Sequence, residues 1–133
     1  MKNIKQYYKE LGKAVYAVAM ADGVVSESER EALHQFVLKN LANHEATLDS
    51  SGMNQAFYVD FEFEGHTGEK PDIDADVRSF VRFVHSNFEP GDEDLLNHSV
   101  GLLEKVAGAY SRNREKEIVA SIRNEVSEVY KEF

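Results

Sequence analysis

F-Y-V-D-F-E-F-E, residues 57–64, is the stretch whose reading decides the fold. Apolar and polar residues alternate in it almost strictly, which is the pattern of a half-buried strand. A lone strand leaves its backbone ladder unpaired, however, and nothing else in the chain offers a convincing partner. The stretch therefore reads as a helix in which Ala56, Phe57, Val59, Phe61 and Phe63 cover a broad apolar surface. The preceding D-S-S-G, residues 49–52, reads as the turn that starts it.

Working outward, every other long segment keeps helical time. Ile4, Tyr8, Leu11, Val15 and Val18 form one stripe at steps of three and four. Leu33, Phe36, Val37 and Leu41 form a second, from a start at Ser26. Val77, Phe80, Val81, Val84 and Phe88 form a third behind Pro71, a residue suited to a helix's first turn. Leu96, Val100, Leu103, Val106, Ala107 and Tyr110 make a fourth, and Ile118, Ile122, Val126, Val129 and Phe133 a fifth. The expected fold is all-α, a compact bundle of five to seven helices forming one domain over residues 1–133.

Composition agrees. The 133 residues suit a single core, and 42% hydrophobic residues with eight Phe and six Tyr can fill it. The absence of cysteine excludes disulfides, thiolate zinc sites and a cysteine nucleophile, and fits a reducing compartment. The first ten residues carry charge with no apolar run behind them, and no segment is long and apolar enough to cross a bilayer. The expectation is a soluble, cytoplasmic protein with no direct membrane insertion.

The formal charge of −9 is concentrated in the middle third. Residues 60–94 hold eleven acids against three bases, a net −8, while the remainder is near balance. Such a segment repels phosphate backbones, so nucleic acid is not an expected partner, and it attracts cations or basic protein surfaces. The plainer account is that these acids solvate loops and helix starts. H-T-G-E-K-P, residues 66–71, is spelled like a linker between two-Cys, two-His zinc fingers, but a chain without cysteine has no finger to join. Gly65, Gly68 and Pro71 break the chain between two helices instead.

Between the first two stripes lies A-D-G-V-V-S-E-S-E, residues 21–29. Aligned on Gly23 it matches the second half of a calcium-binding EF-hand loop, with Asp22 at the fifth place and Glu29 at the twelfth. The first and third places would be Val18 and Met20, which rules out a standard calcium site. Most of the stretch is explained as a corner: Gly23 ends one helix in a left-handed conformation, and Ser26 with Glu29 forms a capping box for the next. Left over are Asp22, placed at the unfavourable end of a helix dipole, and the cluster Glu27, Glu29 and Glu31. Asp22 either turns the backbone towards Val24 or faces an ion together with Glu29. The turn reading comes first on composition.

The passage A-V-Y-A-V-A-M-A-D-G-V-V-S-E-S-E-R-E-A-L, residues 14–33, resembles the first motif of the tellurite-resistance protein B (TerB-like) family. In that motif an apolar helix ends in A-D-G and leads through S-x-x-E into a second helix. The resemblance implies a compact helical bundle without established enzymatic activity, associated with tellurite and other chemical stress, with phage-related phenotypes and with proposed divalent-cation binding through acids. Carried over by residue, it points to Asp22 and Glu29 as the functional acids of the first motif without saying what they bind, and these two are the candidate metal ligands. A weaker echo near the C-terminus, V-A-G-A at 106–109 followed by Glu117, suggests a pseudo-repeated helix-corner-helix unit that would add Glu117. Tyr110 and Ser111 stand there in place of Asp22 and Gly23, so the second half supplies at most one ligand.

Other chemistry is weakly represented. The five histidines lack the i, i+4 pairing of a helical zinc site, and there is no glycine-rich phosphate loop and no nucleophile elbow. An enzyme is not expected. Two functions follow. One is a TerB-like acidic binding module, linked to stress response, that holds Ca²⁺ or a similar hard divalent cation around Asp22, Glu29 and Glu117. The alternative is a metal-free module that docks a basic protein surface through its acidic middle segment. Oligomeric state is not set by the sequence.

Overall fold

A computed structural model describes residues 1–21, 26–41, 54–66, 70–108 and 113–128. Among these residues there are six α-helices: α1 (Ile4–Ala19), α2 (Glu27–Phe36), α3 (Tyr58–Gly65), α4 (Ile73–Asn87), α5 (Glu93–Gly108) and α6 (Asn113–Ser127). A π turn, Val37–Leu41, extends α2, and a 3₁₀ turn, Gln55–Phe57, leads into α3. The fold is all-α, and among the described residues there is no strand. No helix among them is long and apolar enough to cross a membrane.

The central element is α1, which packs against α3, α4, α5 and α6. Its expected single stripe understates its burial: Tyr7, Ala14, Tyr16, Ala17 and Ala19 are buried along with Tyr8, Leu11, Val15 and Val18. The reason is visible in A-V-Y-A-V-A-M, which is apolar all round and suits a helix surrounded by others. Small residues on it let neighbours approach. A Cβ on Gly12 would lie 2.8 Å from the Val59 carbonyl oxygen and 2.8 Å from the Glu62 Cβ, so α3 sits directly on the α1 backbone there.

The aromatic residues of α1 fix α4 and α5. Tyr7 lies 5.9 Å from Phe80 and 6.3 Å from Phe83 between ring centres, and its hydroxyl donates to Ser99 Oγ, which donates in turn to the Leu95 carbonyl at 2.9 Å. The buried hydroxyls are thereby satisfied, as a fully enclosed tyrosine requires. Leu96, Leu102, Leu103 and Val106 of α5 and Ile122 and Val126 of α6 complete one continuous core.

Residues 57–64 are helical, as read, but they do not present one broad apolar face. Ala56, Val59 and Phe63 are fully buried, at helical spacing, whereas Phe61 points outward and is 53% exposed. The turn expected at 49–52 lies outside the described residues. Pro71 does not enter the first turn of α4. Asp72 is the N-cap instead, with its carboxylate accepting from the Ala75 N–H at 3.1 Å, so Pro71 stands one place before the cap. For α2 the expected start holds: Ser26 precedes Glu27, and its carbonyl accepts from the Arg30 N–H at 3.1 Å.

Candidate functional site

Two helices held by different partners define the site. The α2 helix buries Leu33 and Val37 and packs on α5, where Gly101 leaves room for the Phe36 ring. The α3 helix packs on α1, with the Phe63 ring edge-on to Tyr16 at 5.5 Å and 81°. Asn54 fixes its entry, its side chain accepting from the Ala56 N–H at 3.0 Å. Between α2 and α3 opens a groove of about 460 Å³ lined by Glu27, Arg30, Glu31, Leu33, His34, Phe57, Asp60, Phe61 and Glu64. Four acids thus surround a floor containing Leu33, Phe57 and the exposed Phe61.

The charges in this groove are unequal in cost. Glu27, Glu31 and Glu64 are exposed, and Gln35 Nε2 donates to Glu31 Oε1 at 3.1 Å. Asp60 is partly enclosed, with its Oδ2 3.4 Å from His34 Nδ1. Burial pushes the Asp60 carboxyl above the usual carboxylate range, against the opposing pull of His34, and the Glu64 charge adds to the rise. Asp60 is therefore an acid whose ionisation works against folding.

The remaining acids of the 60–94 segment are dispersed, and most serve local structure. Asp72 caps α4, and Asp74 and Asp76 lie in its first turn, where negative charge complements the helix dipole, although burial pushes the Asp76 carboxyl up. Glu93 and Asp94 do the same for α5. Glu93 also accepts from the Gly91 N–H at 3.1 Å, at a turn where Gly91 has φ +100°. Asp92 and Glu89 pair with the Met1 amino group at 2.6 and 3.2 Å. Among the described residues of the segment, only Asp60 and Glu64 line the groove, joined by Glu27 and Glu31 of α2.

A second polar group lies where α1, α3 and α4 meet. Buried Glu10 accepts from Ser79 Oγ at 2.6 Å and Gln6 Nε2 at 3.3 Å, and pairs with Lys13 at 3.2 Å. Nearby, Glu62 pairs with His66 at 3.0 Å, and the His66 ring stacks on Tyr16. These groups satisfy one another, which accounts for their burial without a ligand.

The metal ligands expected from sequence are not assembled among the described residues. Asp22, Gly23 and the Glu29 side chain lie outside them, as does the corner that would join them. Glu117 is exposed on α6, which packs on α5, α4 and α1. No group of three His, Cys, Asp or Glu side chains among the described residues is placed to hold a metal ion. The pseudo-repeat does find a parallel in helix boundaries: shifting α1 and α2 by the 88 residues that separate Glu29 from Glu117 brings them within a residue or two of α5 and inside α6.

Sequence reasoning named Glu27 and Glu31 but missed their meeting with Asp60, Phe61 and Glu64. The available signal was a polar face on each helix, Glu27, Arg30, Glu31 and His34 on α2 and Asp60 and Glu64 on α3, at three- and four-residue steps. Family models, curated proteins and solved structures were compared with the chain, and none matches. The likeness to the TerB-like family rests on residues 14–33 and the helical pattern alone.

Proposed function

We propose that this chain is a non-enzymatic acidic binding module that docks a basic protein segment in the α2–α3 groove. The observation that carries the reading is Asp60, a partly enclosed acid beside an exposed phenylalanine, held at a cost to folding in a groove with three further acids. Groups that cost stability and sit in a concave site are characteristic of function. A lysine or arginine side chain fits such a groove twice over, because its methylene stem covers Phe61 and Phe57 while its charge reaches the carboxylates.

Calorimetric titration with a lysine- and arginine-rich peptide tests this. The double variant Glu31→Gln with Glu64→Gln should weaken binding by about 1–2 kcal/mol, roughly five- to thirtyfold, at two partly screened contacts. Undiminished binding would remove the groove from the account.

A second reading rests on the A-D-G corner. The motif at residues 21–29 supports a divalent cation held by Asp22 and Glu29, with Glu117 as a third candidate, and with it the stress association of the TerB-like family. A specific ion raises the melting temperature with the logarithm of its concentration, whereas screening of a −9 chain is reproduced by sodium chloride. Stabilisation by Ca²⁺, Mg²⁺ or Mn²⁺ that disappears in Asp22→Asn with Glu29→Gln would support the ion. Equal shifts in both proteins would leave the corner structural.

A further inference from the structure

We propose that the occupant of the groove is a second copy of this chain, docked around a two-fold axis passing close to Phe61. This rests on the groove reading and names its partner. The outward face of α3 is polarised across its width. Towards α1, the Lys5 and Lys9 ammonium groups lie over the Tyr58 ring, at 4.8 and 5.8 Å from its centre. Towards α2 lie Asp60 and Glu64, with Glu27 and Glu31 across the groove. Phe61 stands between these flanks, about 60° round the helix from Tyr58 and about 60° from Glu64 at 3.6 residues per turn. Its ring meets Tyr58 edge-on at 6.0 Å and is 53% exposed.

A surface with cations at one end, an aromatic centre and acids at the other is complementary to itself under a half-turn. The operation brings Lys5 and Lys9 of each copy onto the acids of its partner and sets the two Phe61 rings face to face across the axis. A uniformly basic partner fits less well, because whatever extends past Phe61 meets Lys5 and Lys9 with like charge. The net charge of −9 on each copy opposes approach at long range. At physiological salt, with a screening length of about 8 Å, that term falls away while pairs in contact persist.

Charge reversal tests the proposal, at three exposed positions and the half-buried Lys9. Sedimentation equilibrium over the micromolar range should show the mass rising from 15.1 kDa towards twice that value with concentration. Lys5→Glu with Lys9→Glu, and separately Glu31→Lys with Glu64→Lys, should each weaken association by about tenfold or more. Mixing the two variants should restore the dimer, since each reversed flank then meets an opposite charge. Far-UV circular dichroism of each variant confirms that the fold is kept.

A wild type that stays monomeric overturns the proposal, and so do reversed variants that fail to associate when mixed. A monomer that still binds the basic peptide through Glu31 and Glu64 would leave the groove reading standing without the dimer. A dimer indifferent to both reversals uses another face and refutes the proposal outright.

Discussion

Gly12→Ala probes the contact that sets α3, and with it the groove, in place. The new methyl group would meet the Val59 carbonyl oxygen and the Glu62 Cβ, both at 2.8 Å. Neither atom is the free end of a flexible side chain, so relief requires α3 to move as a body, by roughly half an ångström or more to regain ordinary contact distance. That movement loosens Phe63 against Tyr16. Overpacking of this kind costs about 1–3 kcal/mol, and the helix preference of alanine over glycine returns about 1 kcal/mol. The net expectation is a loss of up to about 2 kcal/mol, which for a chain of this size lowers the melting temperature by up to roughly 7 °C. Gly65→Ala is the control: its Cβ would meet nothing within 4 Å, so it should be neutral or slightly stabilising. Thermal and urea unfolding of the two variants measure the difference. A Gly12→Ala protein more stable than the wild type by the full helix preference of about 1 kcal/mol would show that α3 is not seated on the α1 backbone.

Three further outcomes follow. Burial holds the folded Asp60 carboxyl pKa above its ordinary value. The folded state therefore holds its proton longer than the unfolded state, and stability falls as pH rises from the unfolded to the folded value. Asp60→Asn should be more stable than wild type at neutral pH, with the gap closing once the pH falls below about 4, as measured by urea midpoints at each pH. Phe63→Ala should cost about 3–5 kcal/mol while Phe61→Ala stays within about 0.5 kcal/mol, whereas a strand would place both on one face and make both costly. Asp72→Ala should lose about 0.5–2 kcal/mol through the missing cap of α4, and equal stability would return the helix start to Pro71.

The helical fold was legible because apolar spacing is local. Tyr8, Leu11, Val15 and Val18, or Leu96, Val100 and Leu103, repeat at helical intervals whatever surrounds them, and each stripe is buried. Residues 57–64 show how a local pattern misleads in detail. Their alternation arises because Phe61, on the outer face, is as apolar as the buried Val59 and Phe63, so composition alone assigned it to the core. Pro71 was a similar case, since proline is acceptable both within a first turn and just before a cap, and the Asp72 side chain decides between them. The groove was legible only in part, as a polar face on each of α2 and α3, and the meeting of those faces was not. It depends on α2 being held by α5 and α3 by α1, a tertiary arrangement that leaves no mark on the spacing of Glu27, Glu31, Asp60 and Glu64. The acidic middle segment looked like one surface for the converse reason: chain order groups residues that the fold sends to the starts of α4 and α5.

The most direct test of the account is a titration of the ¹⁵N-labelled chain with the basic peptide, followed by amide chemical shifts. If the α2–α3 groove is the binding surface, the changes will gather on Glu27, Glu31, Asp60, Phe61 and Glu64 and saturate together, while the acids at Asp72, Asp74, Asp76, Glu93 and Asp94 stay nearly unmoved. Shifts spread over all the exposed acids alike, without saturation, would mean that the peptide senses only the overall negative charge and that the groove is not a site.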